Sequence, residues 1–208
     1  MINKEKMIQY LRSTEFHALE FSKDDSTKVC ATILDKDDFT PKTWGYNGIP
    51  RGANEDIAQR WERPEKYKWI EHAERNAIAN AAKVGTALNG SCLVVNMFPC
   101  IECARMIVQS GIKDVVTIEP NFELERDLRW KEDYERSQQL FKECGVNLHL
   151  IAEHEARLQP IKDMFAQDEY YLGKQMRKIQ KRVKTNTDTT DNNSATAGGL
   201  IRGIKLKT

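Results

Sequence analysis

The chain contains no apolar run approaching the roughly 20 residues that a membrane-spanning helix needs. Its first segment, from Met1 to Tyr10, is polar and mixed, unlike a secretory leader. Cysteine and histidine are scarce, with five and four among 208 residues. These absences predict a cytoplasmic protein in a reducing environment, without disulfides and without membrane association.

The total charge of +1 conceals an uneven distribution along the chain. Residues 174–208 carry nine Lys or Arg against two Asp or Glu, a net charge of +7 that leaves −6 for residues 1–173. An acidic body is a poor general binder of nucleic acid, so nucleic acid is an unexpected partner. A length of 208 residues with 40% hydrophobic content predicts one globular domain with an appendage.

Some of the scarce histidines and cysteines fall at metal-ligand spacing. His72 is followed two residues later by Glu74, and Cys100 and Cys103 form a C-x-x-C pair after Pro99. One imidazole and two thiolates would hold zinc with one tetrahedral position open, as in catalytic zinc sites. Glu74 would lie beside that position and move protons. A structural zinc site and a redox-active thiol pair are the alternative interpretations. A structural zinc site would require a fourth protein ligand, and a redox role for the thiols would leave the His72–Glu74 pair unexplained.

Hydrophobic periodicity predicts alternating helices and strands. Strand–helix–strand connections of this length favour parallel neighbours, which gives an α/β fold: a three-layer α/β/α sandwich around five strands of a mixed sheet. Both motif-bearing helices would start at the same side of that sheet, with His72 and Glu74 in the first turn of one and the thiols in the first turn of the other. The predicted helices are 2–21, 70–84, 100–110 and 123–144, and the predicted strands are 27–34, 43–46, 92–97, 114–118 and 146–151.

The C-terminal quarter differs in composition from the rest. Residues 1–152 are expected to form the zinc domain, 153–184 a basic helical extension, and 185–208 a low-complexity flexible tail rich in Thr, Asn and Gly. The tail is interpreted either as a docking peptide for a partner or another subunit, or as a solvated appendage.

Beyond the zinc residues, several blocks occur in the order typical of one enzyme family. Over roughly the first 150 residues, the sequence resembles the deoxycytidylate (dCMP) deaminases of the cytidine deaminase superfamily, including members from T4-like phages. The resemblance implies a cytidine deaminase-type fold, one catalytic Zn²⁺ per subunit, and hydrolysis of dCMP to dUMP and ammonia for thymidylate synthesis. The matching blocks are residues 22–29 (SKDDSTKV), 45–52 (GYNGIPRG), 72–78 (HAERNAI) and 109–113 (QSGIK).

Substrate residues are predicted in two of these blocks. Asn47 would hydrogen-bond the sugar 3′-hydroxyl or the base, although an Asn beside Gly is also a common turn residue. Thr27 and Lys28 precede the first strand and could face the 5′-phosphate, or they could be ordinary loop residues.

The resemblance also implies regulation and self-association. The family's Tyr-Asn-Gly loop contributes to an allosteric site that binds dCTP as activator or dTTP as inhibitor, with Mg²⁺, and subunits assemble as a homo-oligomer, either a dimer or a hexamer. A glycine loop followed by Arg suits a triphosphate, whereas a solvated loop arginine is the plain alternative. The matching effector positions are Tyr46, Gly48, Arg51 and Gly52.

Two departures from the family pattern matter. Residues 51–71 contain no Cys or His for the second zinc of some phage relatives, and the family tyrosine after the fourth strand is replaced, with Phe122 or Trp130 as substitutes. Two other functions stay open from the sequence: a deaminase acting on cytosine or adenosine in nucleic acid, and a non-catalytic zinc scaffold.

Overall fold

The computed structural model describes residues 2–157. Over that range the chain forms five strands and seven α-helices, plus a 3₁₀ turn at Ala58–Trp61. None of these helices is long and apolar enough to cross a membrane. The strands are β1 Cys30–Leu34, β2 Pro41–Tyr46, β3 Cys92–Val95, β4 Asp114–Ile118 and β5 Asn147–Ile151; the helices are α1 Lys4–Phe21, α2 Lys66–Trp69, α3 Ala73–Val84, α4 Ile101–Gln109, α5 Glu125–Leu128, α6 Lys131–Glu143 and α7 Glu153–Ala156.

The strands form one mixed sheet in the order β2-β1-β3-β4-β5. β1 pairs antiparallel with both β2 and β3, whereas β3, β4 and β5 run parallel. Every residue of β1 and of β3 is buried, which explains why these strands are continuous apolar runs in the sequence. The predicted five-stranded mixed sheet is confirmed.

Helices cover both faces of this sheet, so the predicted three-layer sandwich is also confirmed. Successive residues of β3 point to opposite faces: Leu93 and Val95 pack with α3, α4 and α6, and Cys92 and Val94 pack with α1. α1 packs against the sheet through buried apolar residues at helical spacing, such as Met7 and Leu11.

Alanines allow α3 to lie very close to the sheet. Ala73, Ala77 and Ala81 are fully buried against it. Opposite them on β2 stands Gly45, where an added Cβ would lie 2.4 Å from the backbone nitrogen of Ala77. Gly85 then ends α3 in a left-handed conformation (φ 74°), as the sequence predicts.

The predicted helix over 123–144 is wrong in one respect, because the structure divides it. α5 ends at Leu128 and α6 begins at Lys131, with Trp130 in a non-helical conformation between them. Leu124 and Leu128 satisfied the helical spacing, yet both are exposed (39% and 54%). The Asp127 carboxylate instead accepts a hydrogen bond from the Asn121 backbone nitrogen, which stabilises the turn before α5.

The predicted C-terminal extension is described only at its start. α7 begins at Glu153, as expected, and ends at Ala156, after which Arg157 has extended backbone. The remainder of the predicted 153–184 helix and the whole 185–208 tail lie outside the described residues.

Candidate metal centre

Two helix starts bring the three predicted ligands together. His72 is the residue immediately before α3 and Cys100 the residue immediately before α4, while Cys103 lies in the first turn of α4. The sequence predicts His72 in the first turn of its helix, but the structure places it one residue earlier, at the N-cap position. The Nδ1 atom of His72 lies 3.4 Å from the Cys100 sulfur and 3.5 Å from the Cys103 sulfur.

These distances fit a tetrahedral zinc ion. With Zn–S bonds of about 2.3 Å and Zn–N bonds of about 2.0–2.1 Å, a tetrahedral angle separates nitrogen from sulfur by roughly 3.5 Å. Cys103 is fully buried and Cys100 nearly so, as suits a preformed site. Among residues 2–157, the group of potential ligands contains His72, Cys100 and Cys103 and no fourth member. The donor set is therefore that of a zinc site with an open position.

The two thiols differ in their affinity for a proton. The hydrogen bond from Cys103, assisted by His72, lowers the pKa of Cys100 to about 4 despite its burial. The reciprocal hydrogen bond, together with burial, raises the pKa of Cys103 well above the ordinary thiol value. The pair thus already holds one thiolate, the form that ligates zinc.

Glu74 lies beside this group, in the first turn of α3. Its side chain is 4% exposed, and burial raises the pKa of the carboxyl to about 7. A carboxyl with a pKa near neutrality can both accept and release a proton under physiological conditions. His72, Glu74 and Cys100 all line one cavity, so this carboxyl and the metal group face the same space.

Aromatic side chains form part of the cavity wall. The Trp130 ring lies edge-on to the His72 ring at 6.4 Å between centroids and packs against Tyr67 at 6.2 Å. Trp130, one of the two predicted substitutes for the family tyrosine, lines the cavity, whereas Phe122 does not. Phe98 and Tyr134 also line it and pack together at 4.8 Å. Flat apolar walls of this kind suit a planar heterocycle.

Four cationic side chains line the same cavity. Lys66 is neutralised by a buried ion pair with Asp24, at 2.6 Å, and Arg126 pairs with Asp127. Arg63 and Arg129 are exposed, and their guanidinium groups make no hydrogen bond or ion pair with the rest of residues 2–157. The cavity rim therefore carries two uncompensated positive charges.

Two of the three predicted substrate residues, Asn47 and Thr27, line this cavity. Asn47 is 5% exposed and uses its whole amide within the chain: Oδ1 accepts from Ser22 Oγ and Val29 N, and Nδ2 donates to Asp24 Oδ2 and Thr27 O. Direct substrate binding by Asn47 would require one of these bonds to be exchanged. Thr27 lines the cavity, and Lys28 lines a neighbouring cavity that shares Thr27.

The four predicted effector residues lie outside the metal cavity. Gly48 pairs by backbone with Glu71, just before the metal group, and Gly52 has a left-handed φ of 85°. Arg51 donates a hydrogen bond to Asn80 on the exposed side of α3. Tyr46 packs beside Trp44 and Phe21 in an aromatic cluster.

Several lining residues were missed by sequence reasoning. Lys66 lies in a charged stretch that indicates a solvated segment, yet it is 5% exposed. Tyr134 and Arg129 belong to the segment predicted as one long helix, so nothing in their spacing indicated a cavity. The only available signal was the dense mixture of arginine and tryptophan around Arg126–Trp130.

A mixed α/β/α sandwich with a His–Cys–Cys group at two helix starts, and a buried glutamate beside it, defines the class of zinc-dependent nucleobase deaminases. Comparison with known proteins agrees. Residues 3–119 match the model of the cytidine and deoxycytidylate deaminase zinc-binding region, and the chain belongs to that family.

Individual relatives extend this result. The human deoxycytidylate deaminase is 37% identical over 114 residues, which is 52% of this chain and 62% of that protein, so less than two thirds of its length is spanned. The mouse deoxycytidylate deaminase is 33% identical over 144 residues, 66% of this chain and 75% of that protein. The dCMP deaminase of cyanophage S-TIM5, solved with dCMP and dUMP, superposes with a TM-score of 0.58 at 22% identity over 73% of this chain and 100% of that one, which shows a shared fold.

Proposed function

We propose that this chain is a zinc-dependent dCMP deaminase, which converts dCMP and water into dUMP and ammonia. The observation that carries the proposal is the juxtaposition of His72, Cys100 and Cys103 with the buried Glu74 on one cavity. Relatives named as deoxycytidylate deaminases support dCMP as the substrate.

His72, Cys100 and Cys103 would hold zinc, which when bound supplies a Lewis acid that lowers the pKa of a water at its open position to about 7. Glu74 would take the proton of the attacking water and deliver it to N3 of cytosine. It would then carry the water's second proton to the departing amine, so that ammonia leaves and a carbonyl stays at C4. Its pKa of about 7 suits both directions of transfer.

The cavity walls would position the base and keep bulk water out. Trp130, Phe98 and Tyr134 supply apolar surface for the pyrimidine ring. The helices that carry Glu74 and Cys103 pack directly on the sheet through buried residues, so Glu74 and the ligands would be held in place relative to C4 of the base.

The charged rim would bind the 5′-phosphate. Arg63 and Arg129 have no ion-pair partner in the described part of the chain, and arginine is well suited to the bidentate binding of a phosphate dianion. Thr27 would add a hydroxyl, and Lys28, in the neighbouring cavity that shares Thr27, would add positive charge nearby. This arrangement favours a nucleotide over the free nucleoside.

We also propose that nucleotides regulate this chain and that it self-associates. Tyr46, Gly48, Arg51 and Gly52 would bind dCTP or dTTP with Mg²⁺, and the chain would act as a homo-oligomer. None of these residues lines the metal cavity, so an effector bound to them would leave that cavity open to dCMP. Initial rates on dCMP with and without dCTP, dTTP and Mg²⁺, combined with the mass in solution, test both ideas; unchanged rates and a monomeric mass would reject them.

The central proposal is tested by ammonia release from the full-length, zinc-loaded chain. We expect release from dCMP, and little or none from deoxycytidine or a cytosine-bearing single-stranded oligonucleotide. Release from the oligonucleotide alone would point to a nucleic-acid deaminase. No release from any cytosine substrate, with zinc bound stoichiometrically, would point to a zinc scaffold and reject the proposal.

The phosphate assignment has its own matched pair of variants. Arg129→Ala should raise the KM for dCMP roughly tenfold or more, because a charged hydrogen bond contributes about 1.5–3 kcal/mol, and should leave the low background on deoxycytidine equal to that of the wild type. Arg105→Ala is the control: Arg105 is an exposed arginine that pairs with Glu102 and does not line the cavity. Equal kinetic constants for the two variants would contradict the assignment.

A further inference from the structure

Tyr134 carries a buried hydroxyl without a partner. The residue is 1% exposed on α6, and its Oη atom makes no hydrogen bond within residues 2–157. Two other buried polar side-chain atoms in that range share this state, Arg12 Nε and Thr117 Oγ1, and neither residue lines the metal cavity. Tyr134 does line it.

The ring of Tyr134 is held firmly in place. It packs on Phe98, which precedes the C-x-x-C pair, at 4.8 Å between centroids, and on Phe122 at 6.5 Å. Phenylalanine would fill this volume without any polar atom. An unpaired buried hydroxyl costs free energy, because it loses its hydrogen bond to water and gains none from the protein. A molecule bound in the cavity that offers an acceptor to this hydroxyl would remove that cost.

The occupant must supply an acceptor. Burial, together with the negative charges of Asp127 and Glu74, raises the pKa of Tyr134, so the phenol stays protonated and acts as a donor at neutral pH. In the proposed reaction, Glu74 and the zinc group would act at the N3 and C4 positions of the cytosine. The oxygens of the base, sugar and phosphate are the acceptors left for a further donor.

We infer that Tyr134 is a substrate-binding residue whose hydroxyl donates a hydrogen bond to an oxygen of the nucleotide in the metal cavity. This inference rests on the proposed deaminase function. Through Tyr134, α6 would contribute to substrate recognition in addition to packing against the sheet.

Tyr134→Phe tests the inference, with Tyr10→Phe as the matched control. Tyr10 lies on α1, away from the cavity, and its hydroxyl donates to the Phe39 carbonyl at 2.6 Å. Tyr134→Phe should lower kcat/KM for dCMP roughly three- to tenfold while leaving zinc content unchanged and the Tm equal or higher. Tyr10→Phe should do the opposite: unchanged kinetics, and a Tm about 2–4 °C lower.

A third measurement separates binding from turnover. In the Glu74→Gln background, which should bind dCMP without converting it, adding Tyr134→Phe should weaken dCMP binding by a similar factor in calorimetry. Wild-type kinetics for Tyr134→Phe, or a loss of activity accompanied by a lower Tm and lost zinc, would overturn the inference. Failure of the wild-type chain to deaminate dCMP would instead reject the proposed function itself, so the two failures are distinguishable.

Discussion

Gly45 is the position where a single added methyl group should disturb the fold and the metal centre together. In Gly45→Ala the new Cβ would lie 2.4 Å from Ala77 N, 2.8 Å from the Asn76 carbonyl carbon and 2.9 Å from the Ala73 oxygen. All three are backbone atoms of α3, so no side chain can rotate away. Restoring an ordinary contact of 3.4 Å requires a movement of about 1 Å between β2 and the first turns of α3.

The expected cost lies at the upper end of the range for overpacking. Inserting a methylene-sized group into a packed core usually costs about 1–3 kcal/mol. Because only backbone can yield here, we expect about 3 kcal/mol, or a fall in Tm of roughly 6–12 °C at about 2–4 °C per kcal/mol. α3 begins directly after His72 and carries Glu74. A shift of this helix should therefore also weaken zinc binding and reduce turnover.

Gly48→Ala provides the control for this prediction. A Cβ at Gly48 would meet nothing within 4 Å, and its φ lies outside the left-handed region. That variant should unfold within about 0.5 kcal/mol of the wild type. Urea unfolding at constant protein and zinc concentration measures both variants. If Gly45→Ala also unfolds within about 0.5 kcal/mol of the wild type, the close approach of α3 to β2 is not what positions the metal-bearing helix.

Three further outcomes follow from the site. Glu74→Gln should keep zinc content and Tm while reducing ammonia release from dCMP to background; measurable turnover would remove Glu74 as the proton carrier. Cys100→Ser should lose zinc, measured by elemental analysis, whereas Cys144→Ser should retain it. Burial acts to raise the pKa of Asp24, but Lys66 together with hydrogen bonds from Ser26 lowers it overall. The stabilisation by the Asp24–Lys66 pair is therefore complete above the ordinary carboxyl range and is lost as pH falls below about 4. Asp24→Asn should therefore cost about 3 kcal/mol at neutral pH, because it leaves Lys66 buried and unpaired, and should flatten the decline of stability in acid; an unchanged acid profile would contradict this.

Much of the architecture is visible in the sequence because it depends on local patterns. Short continuous apolar runs such as Cys92–Val95 favour strands buried on both faces, and Gly85 marks a helix end through its left-handed conformation. The C-x-x-C pair and the H-x-E pair each determine their own helix start. α3 follows β2 and α4 follows β3, and these two strands run in the same direction because each is antiparallel to β1. The two helix starts therefore lie at the same side of the sheet.

Two predictions from the sequence, one for the 123–144 segment and one for Asn47, do not match the local structure. The 123–144 segment has enough helical spacing to predict one helix, but the structure divides it: Asp127 accepts a hydrogen bond from the Asn121 backbone in the turn before α5, and the non-helical Trp130 between α5 and α6 lines the cavity. Asn47 shows the reverse case. Its block predicts ligand binding, and the fold surrounds its amide with four partners.

The sequence by itself determined the order of strands and helices, the three candidate metal ligands and the glutamate beside them, because spacing along a helix start is a local property. Only the tertiary structure decided what surrounds them: the burial that raises the pKa of Glu74, the ion pair that neutralises Lys66, the two unpaired arginines at the rim and the unpartnered hydroxyl of Tyr134. Those properties depend on distances between segments far apart in the chain, and desolvation and charge compensation are set by such distances rather than by residue type.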